Sequence, residues 1–359
     1  MTVFDRYIRK PLEHPAAKAA LTVAAAGAVL GASALLVRAR TRRTERANPP
    51  TGRFIKVGGV HLHYTEQGRG EPLVLLHGNG MAGDDFDVAG LMQEASSRYR
   101  VIAIDRPGFG HSDRPADRLW TAEEQAALVH QAMQRLGVQK AVVFGHSWGT
   151  QVALALALNH PEIVKSLALA SGFYFPSARS DWFALTLPAV PVVGTVLRHT
   201  MVPWLGRLLW PLSRRRMFGP APATLRFRKE HKVWMGLRPT QLQAQAAEAA
   251  LLVPSAMGLS GRYEKIEIPV VLIAGARDRV VSAVEQTKRL HEALPLSEMH
   301  IVPGAGHMIH HSQPHEVMLA IDRAAQAAGT AIDGVAPFGA HARKEGGLPA
   351  NGPRFPVDA

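Results

Sequence analysis

From about position 52 onward, short apolar runs alternate with longer stretches whose apolar residues recur at helical spacing, and this rhythm restricts the fold more than any other feature. The segment 60–64 alternates in the manner of a strand. Runs at 73–76, 101–104, 141–144, 166–169, 270–273 and 299–302 are four residues long and of β type. Helical patterns fill 85–96, 122–136, 150–158, 284–294 and 314–327. Several of the short runs end in Gly-containing turns, which leaves them too short for helices. Buried strands interleaved with helices predict an α/β fold, a mostly parallel sheet covered on both faces. With 359 residues and 47% hydrophobic content, the chain can build a large core.

Residues 173–262 break the rhythm. They are rich in Pro, Trp and Arg, contain four of the six tryptophans (Trp182, Trp204, Trp210, Trp234), and show no strand pattern, so they predict a helical insertion sitting on the sheet. The charge is divided in the same way. The chain carries +12 overall, with +6 in residues 1–50 and +9 in 173–262, so the remainder is mildly acidic. A basic surplus confined to a leader and an insertion, with no nucleic-acid-binding motif, predicts no nucleic-acid partner. The absence of cysteine excludes disulfides, thiolate catalysis and sulfur-ligated zinc. The expected division is an N-terminal anchor and basic linker (1–50), a core in two parts (51–172 and 263–328), the helical cap (173–262) and a flexible C-terminal tail (329–359).

The leader contains nineteen uncharged residues, 19–37. As a helix rising ~1.5 Å per residue they would measure about 28 Å, close to the hydrocarbon thickness of a bilayer. A membrane-spanning anchor is the first expectation. The alternatives are a signal peptide cleaved after Ala32-Ser33-Ala34 and an Ala-rich helix packed on the protein itself. Gly27 and Gly31 form one G-x-x-x-G, a spacing that a run this rich in Ala and Gly produces by chance. Four Lys/Arg before the run and five after it leave the orientation tied.

The sharpest chemical signal is Gly145-His146-Ser147-Trp148-Gly149, directly after the run 141–144 and directly before a helical pattern. A strand that turns abruptly into a helix needs small residues on both sides of the turn, and it holds the serine out where substrate can reach it. A serine hydroxyl needs a base, and the base needs an orienting carboxylate. Asp278 follows the run 270–273 and His307 follows 299–302, in the chain order Ser, Asp, His, each just past a strand. His77-Gly78-Asn79-Gly80 follows the run 73–76, so the amide of Asn79 can join that of Trp148 as an oxyanion hole.

With these residues in view, the chain resembles the α/β-hydrolase superfamily over about 52–328. The matching motifs are His77-Gly78-Asn79-Gly80, Asp105-Arg106-Pro107-Gly108-Phe109-Gly110-His111-Ser112, the pentapeptide around Ser147, Ala274-Gly275-Ala276-Arg277-Asp278 and Gly304-Ala305-Gly306-His307. The resemblance implies an eight-stranded, mostly parallel sheet with a helical cap at 173–262. It also implies Ser147, Asp278 and His307 as triad, Asn79 and Trp148 as oxyanion hole, and a mainly structural role for 105–112. Dehalogenases and epoxide hydrolases of this superfamily carry aspartate where Ser147 stands, and their alkyl-enzyme ester can be cleaved by water where a serine ether cannot. Asn79 and Trp148 nevertheless match the halide-binding pair of dehalogenases. Proline iminopeptidases are similar at the elbow, but their caps offer acidic residues where this one is basic. Cofactor-free haloperoxidases share the Ser-Asp-His set.

The expected activity is therefore cleavage of a carboxylic ester, apolar or lipid-like, through an acyl-enzyme. Activity should fall in acid as the imidazole becomes protonated. Other activities of the superfamily, or a ligand-binding member without turnover, are the alternatives. The apolar, Pro-punctuated stretch 185–212, with Trp204, Trp210, Arg198, Arg207 and Arg214-Arg215-Arg216, suits a lipid interface, and a solvated basic face over a buried lid fits the same residues. No cofactor is expected. His307, His310, His311 and His315 lie close in sequence, but no carboxylate-histidine motif accompanies them and a helix starting at Pro314 divides them, so no metal is expected either.

Overall fold

The computed structural model describes residues 15–177 and 185–329. The first fourteen residues, Trp182 and nearly all of the expected tail lie outside the described residues. Eight strands form one sheet: β1 (Arg53–Val57), β2 (Val60–Gln67), β3 (Glu71–Leu76), β4 (Tyr99–Ile104), β5 (Ala141–His146), β6 (Val164–Ala170), β7 (Val270–Gly275) and β8 (Ser297–Val302), in the order β1-β2-β4-β3-β5-β6-β7-β8. β2 runs antiparallel to β1 and β4, and every other pairing is parallel.

Each expected strand is present, and β1 is the addition. Its sequence, Arg-Phe-Ile-Lys-Val, is mostly exposed at the sheet edge, so it lacks the apolar run of a central strand. The signal it does carry is the turn: Gly58 and Gly59 both have positive φ, the requirement of a two-residue hairpin joining β1 to β2. The helical pattern expected at 85–96 is divided into Asp84–Val88 and Leu91–Ala95 by Gly90, whose φ is +83°.

Alternation along β3 sends Leu73 and Leu75 into one core and Val74 and Leu76 into another, one on each face. β5 is buried at all six positions. The helix that follows it, Trp148–Asn159, is buried from Trp148 through Ala157 because the sheet, the helix Ala122–Arg135 and the insertion close around it. Such a helix is apolar all round. At ~1.5–3 kcal/mol for each fully buried aliphatic side chain, this packing holds the β5 turn rigid.

Between β6 and β7 the described residues are helical: Val193–Thr200, Val202–Phe218, Leu225–Glu230, Val233–Gly236 and Pro239–Ser260, with a short 3-10 turn at Leu187–Ala189. The second of these exposes Trp204, Leu205, Leu208, Leu209 and Leu212.

The N-terminal helix runs Pro15–Ala47, ten residues beyond the uncharged segment. Arginines do not stop a helix, whereas Asn48-Pro49-Pro50 does. From Ser33 onward it lies against the insertion. Ser33 Oγ donates to the Thr200 carbonyl (2.8 Å), Trp204 Nε1 donates to Ser33 Oγ (3.1 Å), Arg40 stands 4.7 Å from the Trp234 ring and Arg238 pairs with Glu45 (3.2 Å). Leu21, Val23, Val29, Leu35 and Leu36 are exposed, and the most apolar window of the helix is only 6% buried. This is one helix long and apolar enough to cross a membrane.

Candidate active site

The turn after β5 requires its glycines. A Cβ on Gly149 would overlap the Leu76 carbonyl, and one on Gly145 would lie 2.7 Å from the Gly149 carbonyl oxygen. Between them Ser147 is held at φ 53°, ψ −119°, a conformation that costs a non-glycine residue about 1–3 kcal/mol. The Ser147 N–H donates to the Ala170 carbonyl (2.9 Å), and Thr150 Oγ1 donates to the Ser147 carbonyl (2.6 Å). The surrounding helix and strands fix the backbone, and the side chain remains partly open to solvent.

The structure brings the three residues singled out by sequence into one hydrogen-bonded line. His307 Nε2 lies 3.1 Å from Ser147 Oγ, and His307 Nδ1 lies 2.8 Å from Asp278 Oδ2. The other oxygen of Asp278 accepts from the N–H groups of Val280 (2.7 Å) and Val281 (3.0 Å), so the carboxylate cannot rotate away. A carboxylate on Nδ1 holds the proton there and leaves Nε2 as an acceptor facing the hydroxyl. The side chains of His307 and Asp278 are buried.

Asn79 follows β3 and Trp148 begins the helix after Ser147. Gly78 brings the two segments together, since a Cβ there would sit 3.0 Å from that of Ser147. Neither the Asn79 nor the Trp148 main-chain N–H has a hydrogen-bond partner among the described residues. The Asn79 side chain is tied to the insertion, donating to the Gln245 carbonyl (3.0 Å). The buried Trp148 Nε1 has no hydrogen-bond partner among the described residues.

The segment 105–112 is structural, and its work extends further than the sequence suggested. Asp105 accepts from His63 Nδ1 (2.7 Å), the Gly83 N–H (2.7 Å) and the His111 N–H (2.9 Å). Arg106 is wholly buried. It donates to the His77 carbonyl (2.9 Å), to Gln125 (2.8 Å) and, through both terminal nitrogens, to Glu248 of the insertion. Glu248 was missed in the sequence, yet it carries a signal: it is a lone carboxylate in an Ala/Leu-rich helical run, and such a group must find a partner when buried.

The four neighbouring histidines separate into three environments. His307 serves Asp278. Nε2 of His310 and Nε2 of His311 each donate to Asp85 (2.8 Å), and His315 is a surface residue 3.9 Å from Glu94. Burial works to raise the Asp85 pKa, but His311 and His310 outweigh it and hold the carboxyl well below its ordinary range. His146 Nε2 donates to the His307 carbonyl (3.0 Å), which couples the residue beside Ser147 to the backbone of the residue facing it.

Several histidines are held in the neutral form by full or partial burial. Burial, assisted by Arg106, lowers His77 from about 6.5 to about 3. Burial lowers His231 to about 4, and His146 is held well below its ordinary value mainly by burial. The unfolded chain binds these protons near pH 6.5. Between pH 6.5 and about 4 it therefore holds more protons than the folded chain, and stability falls as pH drops, by up to ~1.4 kcal/mol per pH unit for each such residue. Calorimetric scans should show Tm falling steeply from pH 6.5 to pH 4. A level Tm across that range contradicts neutral burial.

A strained serine turn after a central parallel strand, with an aspartate and a histidine from beyond the carboxyl ends of two later strands and helices inserted between β6 and β7, defines a class of α/β scaffold. The family pattern for the alpha/beta hydrolase fold matches residues 71–314, and the chain belongs to that family. Among similar proteins, 2-hydroxymuconate semialdehyde hydrolase of Pseudomonas putida is 37% identical over 131 residues, 36% of this chain, and the match spans about half (47%) of that relative. Haloalkane dehalogenase 2 of Mycobacterium tuberculosis is 24% identical over 286 residues, covering 76% of this chain and 94% of the dehalogenase. A membrane phospholipase A described as a bacterial virulence factor shares the fold with a TM-score of 0.60 at 23% identity, over 85% of this chain and 96% of that one.

Proposed function

We propose that this chain is a serine hydrolase that cleaves a carboxylic ester with an apolar, lipid-like acyl or alcohol part. The observation that carries the reading is the unbroken line from Ser147 Oγ through the His307 ring to Asp278. Ser147 attacks the carbonyl carbon as His307 Nε2 takes its proton. The developing oxyanion sits on the N–H groups of Asn79 and Trp148. The same proton passes to the leaving alcohol as the C–O bond breaks. Water, deprotonated by His307, then cleaves the acyl-enzyme and returns the hydroxyl to Ser147. Asp278 keeps the imidazole in the one tautomer that can do this.

A fluorophosphonate probe is expected to label the wild-type chain and to leave Ser147→Ala unlabelled. An unlabelled wild type, or a labelled variant, overturns the reading. Hydrolysis of p-nitrophenyl esters of increasing chain length, with an amide and an epoxide as controls, then ranks the substrates. Esters should turn over, and the epoxide should not, because the ether formed on Ser147 has no route to hydrolysis.

The lipid-like substrate and a membrane anchor at 19–37 belong to the same reading. They are supported by the exposed apolar part of the N-terminal helix and by the leucine face of the helix Val202–Phe218, with Arg207, Arg214 and Arg215 on the same helix. The full-length chain should remain in the membrane pellet after alkaline carbonate extraction. Release into the supernatant defeats the anchor and leaves the hydrolase standing.

A further inference from the structure

On the face of the sheet that carries the helix after Ser147, three side chains from two segments come together: His130 in the helix Ala122–Arg135, His160 immediately after the helix Trp148–Asn159, and Glu162 two residues later. Glu162 Oε1 lies 3.5 Å from His130 Nε2 and 3.8 Å from His160 Nδ1, and the three atoms are all within 4.8 Å of one another. None of the three atoms makes a hydrogen bond among the described residues. The geometry points to a divalent-metal site of the zinc type, with His130, His160 and Glu162 as ligands. It is independent of the proposed hydrolysis.

Two features support it. Zinc–nitrogen and zinc–oxygen bonds of ~2.0–2.1 Å in a tetrahedron place neighbouring ligand atoms about 3.3 Å apart, within a few tenths of an ångström of the separations to Glu162. The histidine side chains are 17% and 25% exposed and that of Glu162 is 64% exposed, so water can fill the fourth position and the metal has a path in.

At present the two rings stack, with centroids 3.9 Å apart and planes 21° from parallel. Parallel rings do not aim both lone pairs at one point. Binding therefore requires each ring to turn about χ2, a soft torsion, and exchanges the stack for a clamp. That clamp would join the helix Ala122–Arg135 to the far end of the helix that starts beside Ser147.

The full chain, stripped with EDTA and titrated calorimetrically with ZnCl2, should bind one more equivalent than His130→Ala/His160→Ala and show a Tm raised by zinc and restored by EDTA. Glu162→Gln should weaken that equivalent by at least ~10-fold, since losing even an outer-shell partner costs about 10–100-fold. Without metal, Glu162→Gln should match wild type in Tm because its side chain is 64% exposed, whereas the double variant loses the stack of two largely buried rings and is read against its own metal-free Tm. Equal stoichiometry and affinity in wild type and double variant overturn the site, and so does a zinc-induced rise in Tm that persists in the double variant.

Discussion

Alanine at His307 is expected to lower kcat for ester hydrolysis by about 10⁴- to 10⁶-fold with KM little changed, because the ring acts on the proton of Ser147 and contributes little to ground-state binding. Asp278→Asn should cost about 10⁴-fold for a reason specific to this site. The Val280 and Val281 N–H groups both donate to Asp278 Oδ1, so the asparagine oxygen would stay on them and its NH2 would face His307 Nδ1. His307 Nδ1 must then accept, which moves the ring proton to Nε2, where it points at the hydroxyl the ring should deprotonate. Steady-state kinetics on one p-nitrophenyl ester, with the fold checked by circular dichroism, tests both variants. A loss below tenfold at either position removes that residue from the proposed mechanism.

The largest stability effect is expected at Glu248. Arg106 and Glu248 are both fully buried, and Gln125 Nε2 donates to the same carboxylate (3.1 Å). Glu248→Ala strands a guanidinium in the core, and breaking such a pair from one side costs about 3–5 kcal/mol. Arg106→Met/Glu248→Met removes both charges and should recover most of the loss. Glu248 lies on the insertion helix Pro239–Ser260 and Arg106 on the loop after β4, so the pair also fixes the insertion over the loops around Ser147. Denaturant midpoints for the two single variants and the double variant measure this. A loss under ~1 kcal/mol for Glu248→Ala means that the charge is solvated in solution.

Much of the core was legible because buried parallel strands leave an unambiguous mark. The runs at 141–144, 270–273 and 299–302 lie wholly within β5, β7 and β8, and Ser147, Asp278 and His307, a few residues beyond them, are those that meet at the site. β1 was less legible because an edge strand buries little, and its periodicity is weak. The N-terminal helix was read only as far as its charges. Its continuation to Ala47 is stabilised by contacts with Thr200, Trp204, Trp234 and Arg238, which lie some 170–200 residues away in the chain.

The amino-acid order alone determined the alternation of strands and helices, the glycine-flanked turn at Ser147 and the order in which Asp278 and His307 follow it, because these depend on local sterics and on periodicity over a few residues. The partnerships of Asp85 with His310 and His311, of Arg106 with Glu248, and of His130 with His160 and Glu162 were decided by tertiary structure. Each joins side chains that are far apart in the chain, and neither composition nor spacing indicates which distant group will be opposite once the sheet has closed.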